Sequence, residues 1–259
     1  MSNSLPTATL GRTDLPVTRL GHGAMEIRGG PRGRDISDQQ AGAILLGKLN
    51  MWEFASGPTL EFPFGQPRNP WNTEYDAGGS STGSGIAAVA GLCAGAIGED
   101  TGGSIRRPAS HNNTVGMRPS WGRVSTYGMI ASVWYQDTAA PLARTVADCA
   151  LLLNVLAGPD ARSPICLPES GAVFQQSLER NLKGIRIAWS ADLGGLPVDS
   201  RVTETLEKQL CIFEDLGCIV EEGFPDFSDA DEIFKTFRAW FFELKLASLL
   251  PEHREKMKE

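Results

Sequence analysis

The sequence predicts an α/β fold, and three observations carry that expectation. Short apolar stretches suited to buried strands recur at residues 43–46, 95–98, 184–189 and 218–222. Helical patterns at 86–94, 142–156, 202–216 and 229–250 alternate with them, as they do where helices cover the faces of a sheet. At 259 residues, 41% hydrophobic and 21% charged, the chain can bury a substantial core in one large domain or two small ones.

The elements follow in order along the chain. Residues 1–42 are rich in Gly and Arg, turn-prone around Gly29, Gly30 and Pro31, with one strand-like piece at 17–20, too little to build a core alone. The texture changes at Ala43: residues 43–46 predict a buried strand and 50–55 a short helical turn, before a Pro- and Gly-rich loop at 57–76. Gly78-Gly79-Ser80-Ser81-Thr82-Gly83-Ser84-Gly85 then runs directly into 86–94, whose small and apolar residues suit a helix buried on every side with the Gly/Ser loop wrapped about its N-terminus. A strand at 95–98 delivers a second loop, Glu99-Asp100-Thr101-Gly102-Gly103-Ser104-Ile105-Arg106-Arg107-Pro108. An amphipathic helix at 142–156 ends at Gly158-Pro159, and Gly217 closes the helix at 202–216.

Composition narrows the function. A net charge of −7 without any block of Lys or Arg gives no phosphate-neutralising surface, so direct nucleic-acid binding is not expected. The five cysteines, Cys93, Cys149, Cys166, Cys211 and Cys218, are odd in number and widely spaced, which speaks against a disulfide framework and a zinc site. The N-terminus has neither a basic start nor an apolar run, and no apolar stretch reaches bilayer length; a cytoplasmic protein is the expectation, with no membrane partner, metal or cofactor.

The two glycine-serine loops are the chemistry-bearing feature. One helix and one strand join them, which returns the second loop to the neighbourhood of the first, so Ser80 and Ser104 can meet. Glycines beside a serine allow close approach of backbone to substrate, and convergent N–H groups stabilise an oxyanion. The competing phosphate cradle needs Gly-x-x-x-x-Gly-Lys-Ser/Thr, and no lysine follows either loop; nor does a dinucleotide Gly-x-Gly-x-x-Gly follow a strand. From the pattern alone, the glycines also fit plain tight turns.

The run from Gly78 to Ser84 and the run Asp100-Thr101-Gly102-Gly103-Ser104-Ile105-Arg106 together resemble the amidase-signature family. Matching flanks, among them 45–51, Arg68-Asn69-Pro70-Trp71-Asn72, Gly122-Arg123-Val124-Ser125 and 141–146, extend the resemblance over roughly residues 43–259. The resemblance implies a central twisted mixed sheet flanked by helices, incomplete at both ends, and hydrolysis of linear amides through a Ser–Ser–Lys acyl-enzyme mechanism. It places the nucleophile at Ser104 and the bridging serine, on a cis peptide, at Ser80. It draws the oxyanion hole from the backbone of Thr101, Gly102, Gly103 and Ser104, with Gly78, Gly79, Ser81, Asp100 and Arg106 supporting the loops. The histidines His22, His111 and His253 have no part in it.

The chain departs from that pattern in several places. The family's lysine belongs on a segment well before residues 45–51, and Lys48 is the only lysine ahead of Lys183, so impaired activity is expected, a catalytically dead binding or scaffold fragment being the alternative. In its place, residues 9–28 resemble the opening of an aldo-keto reductase, including a Gly11-Arg12-Thr13 hairpin, without the further units of a barrel; residues 1–42 are thus expected to be a foreign segment and not an independent domain. Thr82 replaces a usual glycine, and the polar Ser110-His111-Asn112-Asn113 replaces a more apolar run, with a cost in packing expected. The chain stops after a helix, short of the family's length, and its open sheet edges allow a homo-oligomer; the expected partner is a small-molecule amide.

Overall fold

The computed structural model describes residues 7–9, 16–18, 46–56, 62, 64–127, 137–248 and 250–256. It divides into two compact units, Met1–Gln176 and Ser177–Glu259. The boundary expected near residue 42 lies outside the described residues.

The first unit opens with an antiparallel pair, β1 (Thr7–Thr9) and β2 (Pro16–Thr18), in the register Thr7↔Thr18. Residues 43–45 of the expected strand lie outside the described residues, and Leu46 is in no strand and 70% exposed. The expected helical turn near 50–55 is a single 3-10 turn at Glu53–Ala55.

Helix α1 is Thr82–Val89, four residues earlier than the small-residue run suggests. The glycines and serines of the loop are its first turn, because they let it lie against other backbone. Gly83 donates its N–H to the Asn50 carbonyl at 2.8 Å, and a Cβ there would stand 2.7 Å from the Asn50 nitrogen. Strand β3 (Gly95–Asp100) follows, and the α1 serines reach it. Ser84 Oγ donates to the Ile97 carbonyl at 2.8 Å, while Ser81 Oγ accepts from the Glu99 N–H at 3.2 Å.

Helix α2 (Arg106–Asn112) starts two residues after Ser104, and Asn113 ends it in the left-handed region with φ 55°. Of the polar run at 110–113 only Asn112 is buried, and its Oδ1 has no hydrogen-bond partner among the described residues. Asn112 is fully buried because its Nδ2 donates to the carbonyls of Ala77 at 2.7 Å and Pro108 at 2.8 Å, tying α2 to the first glycine loop.

Strand β4 (Val115–Gly116) and strand β5 (Thr138–Ala143) complete an antiparallel sheet in the order β3-β5-β4, with Gly95↔Ala143 and Asp100↔Thr138 at the ends of the main pairing. Alternation sends β5 side chains to both faces. Ala139 packs with Ile97, Val124, Leu153, Leu156 and Ala157, whereas Ala140 and Leu142 pack with Ile105 and Ala109. The helix expected from Leu142 begins at Val146 instead, as α3 (Val146–Leu156). Thr145 caps it by accepting from the Asp148 N–H at 3.0 Å, which fixes the start four residues past Leu142.

In the second unit, β6 (Arg186–Trp189) pairs parallel with β7 (Ile219–Glu222), in the register Arg186↔Ile219. Between them the single helix expected at 202–216 is two, α4 (Ser200–Glu207) and α5 (Leu210–Asp215), broken at Lys208 and Gln209. Gly217, at φ +83°, turns α5 into β7. Helix α6 (Ala230–Leu246) and the short α7 (Leu250–His253) follow. The described strands combine antiparallel and parallel pairing, in the orders β1-β2, β3-β5-β4 and β6-β7, within the mixed α/β arrangement that the sequence predicts.

Leu153, 1% exposed in the larger apolar cluster, sets a test of this packing. Leu153→Ala is expected to cost about 2–5 kcal/mol, measured as the loss in urea unfolding free energy. A loss near zero would mean that the α3–sheet contact is not the core of the unit.

Candidate active site

The two glycine-serine loops meet. Ser81 donates its backbone N–H to the Ser104 carbonyl at 3.2 Å, so the residue after Ser80 is hydrogen-bonded to Ser104 itself. Ser80 sits on a cis Gly79–Ser80 peptide, as the resemblance implies. Its backbone carbonyl accepts from the Trp52 N–H at 3.0 Å, and the Trp52 ring covers Gly79 so closely that any Cβ there would run into the indole. The Arg107 guanidinium lies 4.9 Å from the centre of the same ring. Gly78, at φ +69°, passes beneath the Arg107 carbonyl, 3.0 Å from where its Cβ would be.

The two hydroxyls are not hydrogen-bonded to each other. Ser80 Oγ is 1% exposed and has no hydrogen-bond partner among the described residues, and Ser104 is half-buried at the surface of the same loop pair. Lys48 is exposed and does not reach Ser80 Oγ. Thr82 is buried at the start of α1, with its hydroxyl 3.5 Å from the Ser80 carbonyl.

Asp100 organises the second loop. Fully buried at the end of β3, its carboxylate accepts from the N–H groups of Gly103 at 2.7 Å and Ile105 at 3.2 Å, and from Arg106 Nε and Nη2 at 3.0 and 3.1 Å. Burial pushes the Asp100 carboxyl up; the Arg106 hydrogen bonds and the two backbone donors outweigh it, and the net direction is down. Arg106 thus holds the Asp100 carboxylate through two side-chain hydrogen bonds. The Gly103 N–H, expected to face an oxyanion, instead points inward to Asp100, because a buried carboxylate must be satisfied first. The N–H groups of Thr101, Gly102 and Ser104 have no hydrogen-bond acceptor among the described residues.

Sequence reasoning missed two residues at this loop, Arg118 and Asp137. Arg118 Nη1 donates to the Asp100 carbonyl at 2.6 Å and to Thr138 Oγ1 at 3.0 Å, and the Thr101 hydroxyl donates to Asp137 Oδ1. Both residues lie outside the glycine loops; the strand pairing Asp100↔Thr138 brings Asp137 there, and the pairing of β4 with β5 brings Arg118. The other candidates for chemistry fall away. Cys149, buried, has its thiol pushed up to about 11 by burial, which keeps it protonated and unreactive. His111 is exposed beside Asp76, and His22 lies outside the described residues. No group of three His, Cys, Asp or Glu among the described residues could hold a metal ion. A cleft of about 280 Å³ opens beside α1, lined by Trp52, Arg68, Tyr75, Asp76 and Thr82, and neither Ser80 nor Ser104 lines it.

The family model "Amidase" matches residues 39–250, and the chain belongs to that family. It is 43% identical over 195 residues to a subunit of the glutamyl-tRNA(Gln) amidotransferase of Synechococcus sp. (strain CC9605), a match covering 73% of this chain and 39% of that protein. The corresponding amidotransferase protein of Pseudomonas putida (strain GB-1) is 43% identical over 184 residues, 71% of this chain and 38% of its own length. Among solved structures, a bacterial aryl acylamidase of the amidase signature family aligns with a TM-score of 0.73 at 28% identity, over 94% of this chain and 55% of that one. Peptide amidase from Stenotrophomonas maltophilia aligns with a TM-score of 0.65 at 31% identity, over 83% and 46%. The chain thus spans about two fifths of the length of these curated relatives.

Asp100 gives the site a pH signature. Its folded pKa is lowered, so its contribution to stability is present above the ordinary carboxylate range and lost as pH falls through the depressed value. Asp100→Asn is expected to cost about 1–3 kcal/mol at neutral pH, with urea midpoints of the two chains converging as the solution is acidified. A gap that stays constant into strong acid would show that Asp100 is not held as a carboxylate.

Proposed function

We propose that this chain carries the acyl-transfer half-site of an amidase acting on linear, non-peptide amides, with Ser104 as nucleophile and Ser80 as proton relay. The observation that carries the reading is the hydrogen bond from the Ser81 N–H to the Ser104 carbonyl, which sets the second serine against the first. In the reaction, Ser104 Oγ attacks the amide carbonyl carbon as its proton passes to Ser80 Oγ, whose own proton is relayed to the leaving nitrogen. The oxyanion formed is met by the N–H groups of Thr101, Gly102 and Ser104, the carbon–nitrogen bond breaks as the leaving amine takes up a proton, and water then hydrolyses the ester on Ser104. Gly103 serves through Asp100 as a loop support, together with Gly78, Gly79, Ser81 and Arg106.

Among the described residues the relay has no terminal base. In the family pattern a lysine amine ends it; here Ser80 Oγ is buried without a partner among the described residues, and Lys48 lies exposed. A serine hydroxyl without a base keeps its ordinary weak nucleophilicity. The same observation favours a second reading, a catalytically dead amidase-like module that binds or scaffolds. The amide remains a small molecule in both readings. The cysteines are all free, which fits a reducing, cytoplasmic setting.

Labelling with a fluorophosphonate and an amide-hydrolysis assay on the purified chain decide between them. Slow formation of an adduct on Ser104, abolished in Ser104→Ala, is expected, with turnover about 10³-fold or more below that of an amidase with its triad complete. The absence of any adduct after prolonged exposure would leave only the binding module, and turnover equal to a complete amidase would refute the missing base.

A further inference from the structure

We propose that Asp137 is a positioning residue that aims the oxyanion-binding edge of the Ser104 loop through the Thr101 hydroxyl. The proposal rests on the acyl-transfer reading above, and it concerns a residue outside both glycine loops.

Asp137 is 1% exposed and immediately precedes β5, whose pairing sets Thr138 opposite Asp100. Its Oδ1 accepts the Thr101 hydroxyl proton. Arg118 lies beside Asp100, 3.5 Å from its Oδ1, bonded to the Asp100 carbonyl at 2.6 Å and to Thr138 Oγ1 at 3.0 Å, and feels the charge of both Asp100 and Asp137. The peptide units around Thr101 are therefore fixed from both ends. On one side the Asp100 carbonyl is held by Arg118 and by the Thr138 hydroxyl, at 3.2 Å. On the other, the Asp100 carboxylate holds Gly103.

Between those anchors lies Gly102, which has no side chain to hold it, and its neighbour Gly103 stands at φ +111°. The Thr101 side chain is the only hydrogen-bonding side chain in the two-residue span 101–102, and Asp137 is what it bonds. Without this tether the Thr101 and Gly102 N–H groups would sample several directions, and donors contribute to catalysis only when they are preorganised toward the developing charge. Arg118 offsets the charge that Asp137 would otherwise place behind an oxyanion.

The test uses the full chain and separates binding of a fluorophosphonate (apparent KI) from its covalent reaction with Ser104 (kinact). Asp137→Ala is expected to lower kinact by about tenfold or more while KI changes less than about twofold, because the tether acts on the charged transition state. Asp137→Asn, which keeps an acceptor for the Thr101 hydroxyl, recovers most of that loss. Thr101→Val reproduces the Asp137→Ala loss, and the double variant is no slower than either single one, as expected of two residues acting through one bond. Urea midpoints check that each variant is folded, and Thr101→Val, half-buried at its loop, serves where Asp137→Ala does not fold. Equal kinact in folded Asp137→Ala or Thr101→Val chains overturns the proposal alone, as does a double variant whose losses add. An unaltered chain that never reacts at Ser104 overturns the acyl-transfer reading and this role together.

Discussion

A carboxylate with no access to water must find its donors within the protein, and at the end of β3 that requirement shapes the whole serine loop. Asp100 draws in two backbone N–H groups and the Arg106 fork, and the chain can supply them only by doubling back through Gly102 and Gly103. The doubled-back loop puts the Ser104 carbonyl where the Ser81 N–H meets it. The start of α2 follows from the same turn, since Ile105 and Arg106 lead directly into that helix. The geometry that brings two serines together is thus a by-product of satisfying one buried charge. That dependence makes the loop sensitive to groups far from it in sequence, among them Arg118 and Thr138.

How much of this was visible in the sequence varies with the kind of signal. The meeting of the two loops was legible in the glycine-serine pattern, although that pattern alone also fits plain tight turns; the cis peptide at Ser80 and the parts given to Asp100 and Arg106 came only from the resemblance to the amidase-signature family. Strand β5 was not. Its residues, Thr138 to Ala143, are small, include Pro141 and lack β-branched alternation, so they form a strand through their pairing with β3 and not through any local preference. Missing β5 stretched the next helix back to Leu142, although Thr145 and Asp148 spelled out a capping box that marked its true start. Arg118 and Asp137 escaped notice for the same reason, since their roles exist only once β5 lies beside β3. The mixed α/β class was legible from alternating strands and helices, which say that sheets form and not which edges join.

The second unit shows what happens when local pattern is satisfied with little core to receive it. Its parallel β6–β7 pair and flanking helices are regular, yet Cys218 and Phe241 are its only buried apolar residues among those described. Along α6, Ile233, Phe237, Trp240 and Leu244 recur at helical spacing and are all exposed. Secondary structure there is dictated by periodicity and caps, such as Asp199 at the start of α4, and owes little to burial. In the first unit the balance is reversed, with β5 buried along its whole length.

The close stacking of Trp52 on Gly79 limits how this loop can change over evolutionary time. No larger residue fits at 79 while the indole is present, and removing the indole alone uncovers the peptide that carries Ser80. The two positions must therefore vary as a pair, each constraining the other across 27 residues of chain. Lineages that retain the tryptophan are held to glycine at 79 whether or not the neighbouring serine is still used for chemistry, so the loop's sequence can outlast the activity it once served.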